Sequence, residues 1–127
     1  MERQLETCIN YAKERRQFGQ PIGKFQSISN KIADMKARIE LSRLILYKIG
    51  WLKSRGEKGL LEAAIAKLYV SESFVKSSLD AIQIHGGYGY MTDFEVERDL
   101  RDSVASTIYS GTSEIQRNTI SRWLLGL

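Results

Sequence analysis

The stretch Ile108–Arg117, IYSGTSEIQR, sets a hydroxyl at Ser110 directly before a Gly-Thr-Ser that reads as a polar helix start. A serine hydroxyl is not a base, and it becomes a nucleophile only when another group takes its proton. No histidine or lysine motif near Ser110 offers that help. The one histidine, His85, lies in QIHGGYGY with no second ligand close in sequence, so no metal site is expected. The glycines of that stretch follow a helical pattern and not a strand, which sets aside the strand–turn–helix dinucleotide fold. A glycine-rich helix end accounts for them as well as a ligand does. Cys8 is the only cysteine, so it forms no internal disulfide and suits a reducing, cytoplasmic setting as a small apolar helix residue.

The elements that must position these residues are all helical. Leu5, Cys8, Ile9 and Ala12 recur at three- and four-residue steps and predict a helix over Glu2–Arg15. QFGQPIGKF, with Gly19, Pro21 and Gly23, then forces a loop. A second helix is expected to start near Ser27 or Ser29, each a good N-cap, and to run through Ile28, Ile32, Met35, Ile39, Ser42, Leu46 and Ile49. SRGEKG turns the chain. A third helix follows over Leu60–Ile84, with Leu61, Ile65, Leu68, Val75, Leu79 and Ile82 on one face, and ends at HGGYGY, where bare glycines permit backbone geometry that a side chain forbids. A shorter, charged helix is predicted from Glu95 to Ala105. The last runs from Thr112 or Ser113 to Leu124, with Ile115, Ile120, Trp123 and Leu124 as its apolar contacts. No strand pattern competes. The expectation is an all-α, antiparallel four-helix bundle with an additional short helix, forming one domain over 1–127.

Composition narrows the function classes. A chain of 127 residues is long enough to bury a core without disulfides or metal. The net charge of +4 invites a nucleic-acid reading. The basic residues are dispersed, however, in KERR, LKSR and around Lys31 and Lys36, and they alternate with acids, as on a solvated helix face. A minority of them remain available to a phosphate-bearing ligand. The opening residues MERQLETC lack the apolar core of a secretory leader, and no apolar run is long enough to span a bilayer. The first helix starts in mid-pattern, which is expected of a piece of something longer.

Taken in order, YAKERRQFGQPIGKFQ, the helix with KIADM, DAIQIHGGYGY and RDSVASTIYSGTSEIQR resemble the C-terminal domain of acyl-CoA dehydrogenases. The resemblance spans essentially the whole chain in register. It implies FAD as cofactor, held between subunits of a homodimer or homotetramer. Arg15 falls where the family sets a guanidinium on the FAD pyrophosphate, and a planar fork of fixed charge suits phosphate oxygens. Phe18 is the matching aromatic beside it, and Gln17 and Gln26 match polar contacts to the cofactor. Gln83, Ile84, His85, Gly86 and Gly87 match the segment that meets the adenosine diphosphate part. Thr112, Ser113 and Glu114 match positions near the flavin at a helix N-terminus, and Gly111 one near the substrate. Ser113 with Gln116 fits a capping box equally well, so both readings stand.

Many members of the family carry a glutamate at the position of Ser110, as the base that removes the α-proton of the acyl thioester. Others place that glutamate on an earlier helix, upstream of MERQLE, with a small residue here. The resemblance therefore implies that Ser110 leaves room for a base supplied from elsewhere, and that no residue of this chain is catalytic. The leading expectation is the C-terminal domain of a FAD-dependent dehydrogenase that desaturates acyl-CoA thioesters, or thioesters of an acyl carrier protein. The alternative is a non-catalytic helical subunit or scaffold that completes a partner's flavin site. Neither reading involves nucleic acid or a membrane span.

Overall fold

The computed structural model describes residues 1–127, and six helices make up most of it. They are α1 (Glu2–Glu14), α2 (Gln26–Ser54), α3 (Leu60–His85), α4 (Gly87–Tyr90), α5 (Val96–Ser106) and α6 (Ser113–Leu125). Single 3₁₀ turns at Ile22–Lys24 and Thr92–Phe94 precede α2 and α5. No helix is long and apolar enough to cross a membrane. The helix α3 is the spine: α1, α2, α5 and α6 all pack against it. The helical expectation holds, with two additions: the one-turn helix α4 within HGGYGY, and a small hairpin. At the entry to the loop predicted over QFGQPIGKF, the two-residue strands β1 (Arg16–Gln17) and β2 (Gln20–Pro21) pair antiparallel, with Arg16 opposite Pro21 and Gln17 opposite Gln20.

The core centres on Cys8 of α1, Met35 of α2, Ala81 and Ile84 of α3 and Val96 of α5. Leu5, Tyr11, Ile28, Ile32 and Ile82 pack around it. This is the end of the bundle where α3 finishes, so the C-terminus of α3 rests on the best-packed part of the molecule. Toward its start α3 is different. From Ala64 to Ser78 its fully buried residues are small, Ala64, Ala66, Ser71, Ser73, Ser77 and Ser78, whereas Leu61, Leu68 and Val75 of the face expected from periodicity are only partly buried. Leu79 and Ile65 of that expected face are exposed. Small side chains let the neighbouring backbones come close, and two of the buried hydroxyls turn back onto the helix: Ser71 donates to the Lys67 carbonyl at 2.7 Å and Ser78 to the Phe74 carbonyl at 2.9 Å.

The start of α2 differs from expectation, whereas α6 starts where expected, at Ser113 with Thr112 as its cap. Neither Ser27 nor Ser29 caps α2; it begins at Gln26 after an extended Phe25 with no side-chain cap. At α6 the cap is Thr112, whose hydroxyl accepts from the Ile115 N–H at 3.4 Å. The capping box of Ser113 and Gln116 does not form. Gln116 instead turns back to donate to the carbonyls of Ser110 and Gly111, at 3.2 and 3.4 Å. Most of α6's expected contacts are exposed as well: Ile115, Trp123 and Leu124 face outward.

Candidate functional site

The chain leaves α1 at Arg15 in an extended conformation and turns through the small hairpin. Both tip residues have positive φ, 51° at Phe18 and 80° at Gly19. Such a turn matches the twist of the paired strands but is strained for phenylalanine. The Arg16 guanidinium donates to the Gly19 carbonyl at 3.2 Å, closing the tip. Phe18 is consequently 91% exposed and meets only the edge of Phe25, 6.1 Å between centroids. The Ile22 N–H donates to the Arg15 carbonyl at 2.8 Å, which ties the hairpin back to the end of α1.

Opposite the hairpin, α3 stops at His85. Gly86 has φ 59° and ψ −134°, a conformation open essentially to glycine alone. Gly89 is required for a different reason: a Cβ there would stand 2.7 Å from the Ile82 carbonyl oxygen. His85 is only 5% exposed, and its Nδ1 lies 2.8 Å from the Ala81 carbonyl. A carbonyl only accepts, so Nδ1 carries a hydrogen directed at it. The ring stacks on Tyr11 at 4.4 Å, and the Tyr11 hydroxyl donates to the His85 carbonyl at 3.4 Å.

Hairpin and helix end enclose an open cleft of about 770 Å³. Arg15, Gln17 and Phe18 line it on one side and Ile84, His85, Gly86 and Gly87 on the other. Tyr11, Tyr88, Met91 and the start of α2, with Phe25, Ser27 and Ile28, complete the wall. Gln26 is exposed on the first turn of α2, between two lining residues but not itself part of the lining, and Gln83 is exposed outside it. Arg15 forms no ion pair; its guanidinium lies over the Tyr88 ring, 5.5 Å from the centroid. The aromatic residues Tyr11, Phe25 and Tyr88 were not singled out from the sequence. Tyr88 sits inside HGGYGY, and Tyr11 precedes Arg15 by one helical turn, so position was the available signal.

Thr112, Ser113 and Glu114 belong to a separate depression of about 500 Å³, bounded by Glu72, Val75 and Lys76 of α3 and by Thr107 and Ile108. At the helical rise per residue it lies about 15–20 Å along α3 from the cleft. Here Ser110 and Gly111 turn the chain with φ 55° and 90°. A Cβ on Gly111 would approach the Gln116 amide nitrogen to 2.7 Å. Ser110 is exposed, and its hydroxyl has no basic partner. The Glu114 carboxyl is held below the usual carboxylate range by its own backbone N–H first and the Thr112 hydroxyl second. Ser113 is 6% exposed and its buried hydroxyl has no hydrogen-bond partner.

Comparison with known proteins gives one answer. The family model described as "Acyl-CoA dehydrogenase, C-terminal domain" matches residues 1–125. An acyl-CoA dehydrogenase of Bacillus subtilis (strain 168) is 51% identical over 125 residues, 98% of this chain and 33% of that protein. Among solved structures, the prolyl acyl carrier protein oxidase AnaB superimposes with a TM-score of 0.95 at 55% identity, over 99% of this chain and 33% of AnaB. The FAD complex of PigA superimposes with a TM-score of 0.93 at 46% identity, over 97% of this chain and 32% of PigA. The chain thus spans about a third of the length of the relatives it matches.

Proposed function

The chain belongs to the acyl-CoA dehydrogenase family as its C-terminal domain, and we propose that its cleft holds the adenosine diphosphate part of FAD in an enzyme that desaturates acyl thioesters. One observation carries this reading: a guanidinium free of any acidic partner, Arg15, opens onto the same cleft as the bare backbone of Gly86 and Gly87. A pyrophosphate asks for a planar fork of donors and for a backbone that approaches without side chains. Phe18 and Phe25 offer aromatic faces and edges for a flat base, and the volume falls in the range of cofactor sites. The donor set therefore suits FAD, the group that was expected.

Bound FAD would supply the hydride acceptor, the chemistry no side chain provides. The residues of this chain bind and orient. Arg15 would neutralise phosphate charge, with Gln17 and Phe18 beside it; Gln26 and Gln83, from the rim, would reach the same ligand. His85 would brace the wall from within. At the second depression, Thr112, Ser113 and Glu114 would meet the cofactor near its flavin, and the unpartnered Ser113 hydroxyl supports a ligand or protein group arriving there. Gly111 would give the thioester close access to backbone. Ser110 stays out of the chemistry, and the α-proton goes to a base outside these 127 residues.

The distance between cleft and depression supports a cofactor shared between copies of the chain, in a homodimer or homotetramer. The relatives are enzymes, which weighs against a non-catalytic scaffold. The acyl group would arrive as a thioester of coenzyme A or of a carrier protein; likeness to AnaB favours the second. Unpaired Cys8 supports a reducing, cytoplasmic setting. The test is Arg15→Ala in the full-length polypeptide. Loss of a charge-assisted pair costs about 2–5 kcal/mol when well buried, so FAD affinity should fall roughly 30-fold or more while the bundle stays folded. Arg15→Lys should restore it in part, charge without the bidentate fork. An alanine variant with unchanged flavin content after dialysis ends the assignment.

A further inference from the structure

Arg15 is a long, flexible side chain at the exposed end of α1, and nothing acidic holds it. Left alone it would sample many rotamers, and ordering it on binding would weaken the complex. Yet its guanidinium carbon stands 5.5 Å from the centroid of the Tyr88 ring. Contact through the ring face leaves the N–H donors for a ligand, whereas a carboxylate partner would occupy them.

The Tyr88 ring is itself held. Phe94 packs on it at 4.8 Å with the planes tilted by 38°, and Tyr11 meets it edge-on at 6.4 Å and 85°. Tyr11 in turn stacks on His85, which is anchored to Ala81 in the core of α3. A continuous series, from buried imidazole to Tyr11 to Tyr88 to guanidinium, thus runs from the packed core to the cleft.

We propose that Tyr88 is a positioning residue: its ring is the platform that pre-orders Arg15 toward an anionic ligand in the cleft. The proposal rests on the reading of that cleft as the site of the cofactor's pyrophosphate. It assigns Tyr88 no contact with the ligand and no part in the chemistry.

The experiment measures the FAD dissociation constant of the full-length holoenzyme in a double-mutant cycle. Tyr88→Leu should weaken FAD about fivefold, the scale of a partly solvated cation–π contact. In the Arg15→Ala background the same change should do less than about twofold, because Tyr88 acts through Arg15. Tyr88→Phe keeps the ring face and should match the wild type. Since leucine removes packing with Tyr11 and Phe94, a second series keeps the shape: phenylalanine at position 88, then its mono-, di- and trifluoro analogues, which drain the ring face stepwise. FAD affinity should fall with each fluorine. Equal effects of Tyr88→Leu with and without Arg15, or a flat fluorination series, overturn the proposal while leaving the cleft assignment intact. A silent Arg15→Ala instead overturns the cleft assignment, and the role of Tyr88 with it.

Discussion

Cys8 illustrates how one residue's chemistry is set by its place. It is fully buried in the core, and burial first, then the nearby Asp80 and Asp99 carboxylates, push its thiol from an ordinary 9.0 up to about 12. The thiolate is the reactive form, so the folded protein should ignore thiol reagents. Ellman's reagent at pH 8 is expected to label one thiol per chain in denaturant and almost none without it. The same shift has a pH consequence. A pKa raised on folding stabilises the fold fully below the unfolded value and is lost as pH rises through the folded value. Denaturant midpoints should therefore fall between pH 9 and 12, and Cys8→Ala should flatten that part of the profile. An equally steep alkaline decline in Cys8→Ala would assign it to other groups. Ser110 shows the opposite case: an exposed hydroxyl on a left-handed backbone, with no partner to activate it.

Between elements, the α2–α3 contact is tied by a charge cluster. Asp80 of α3 accepts from Lys31 at 3.1 Å and from Arg38 at 2.7 Å, both on α2. Arg38 also reaches the Ser77 hydroxyl at 3.5 Å. All three charged side chains are partly shielded, so the pair lies between a surface ion pair of little worth and a buried one whose breakage costs several kcal/mol. Asp80→Ala leaves two cations facing each other and should cost about 2 kcal/mol in urea unfolding. Lys31→Ala, which leaves the better-placed Arg38 contact in place, should cost under about 1 kcal/mol. Equal costs for the two variants would show that Arg38 contributes nothing. Arg3 with Asp99 and Arg117 with Glu72 make similar links from α1 to α5 and from α6 to α3, through more exposed arginines.

For the molecule as a whole, the distribution of apolar surface is the main physical fact. One end of the bundle encloses the core, whereas α2 carries Leu41, Leu44, Tyr47 and Trp51 exposed at three- and four-residue steps. Leu60 and Ile65 of α3 add to that end, and Trp123, Leu124 and Leu125 leave the tip of α6 uncovered. A face of that extent is expected to be covered by another polypeptide. The 127-residue chain should sediment as a dimer or larger at micromolar concentration in analytical ultracentrifugation. A strictly monomeric profile across that range would contradict this reading. With a cleft open on one side, the chain alone should hold FAD weakly and reduce no artificial electron acceptor with any acyl-CoA.

The helices and their breaks were legible in the sequence because they depend on local rules: a 3.6-residue apolar period, and glycine or proline where it stops. The motifs around Arg15, His85 and Ser110 were legible too, since each lies in one continuous stretch. Which face of α3 is buried was not. That helix has a leucine face and an alanine–serine face, and periodicity alone favours the leucines. The fold buries the small residues most deeply, since small side chains let neighbouring helices approach closely, and it leaves Leu79 and Ile65 exposed. The same holds for the site. Arg15 and Gly86 are far apart in sequence but line one cleft, whereas Thr112 to Glu114 lie in another. The cap at Thr112, the strained tip at Phe18 and the support of Arg15 by Tyr88 depend on contacts between distant segments, which only the packed chain brings together.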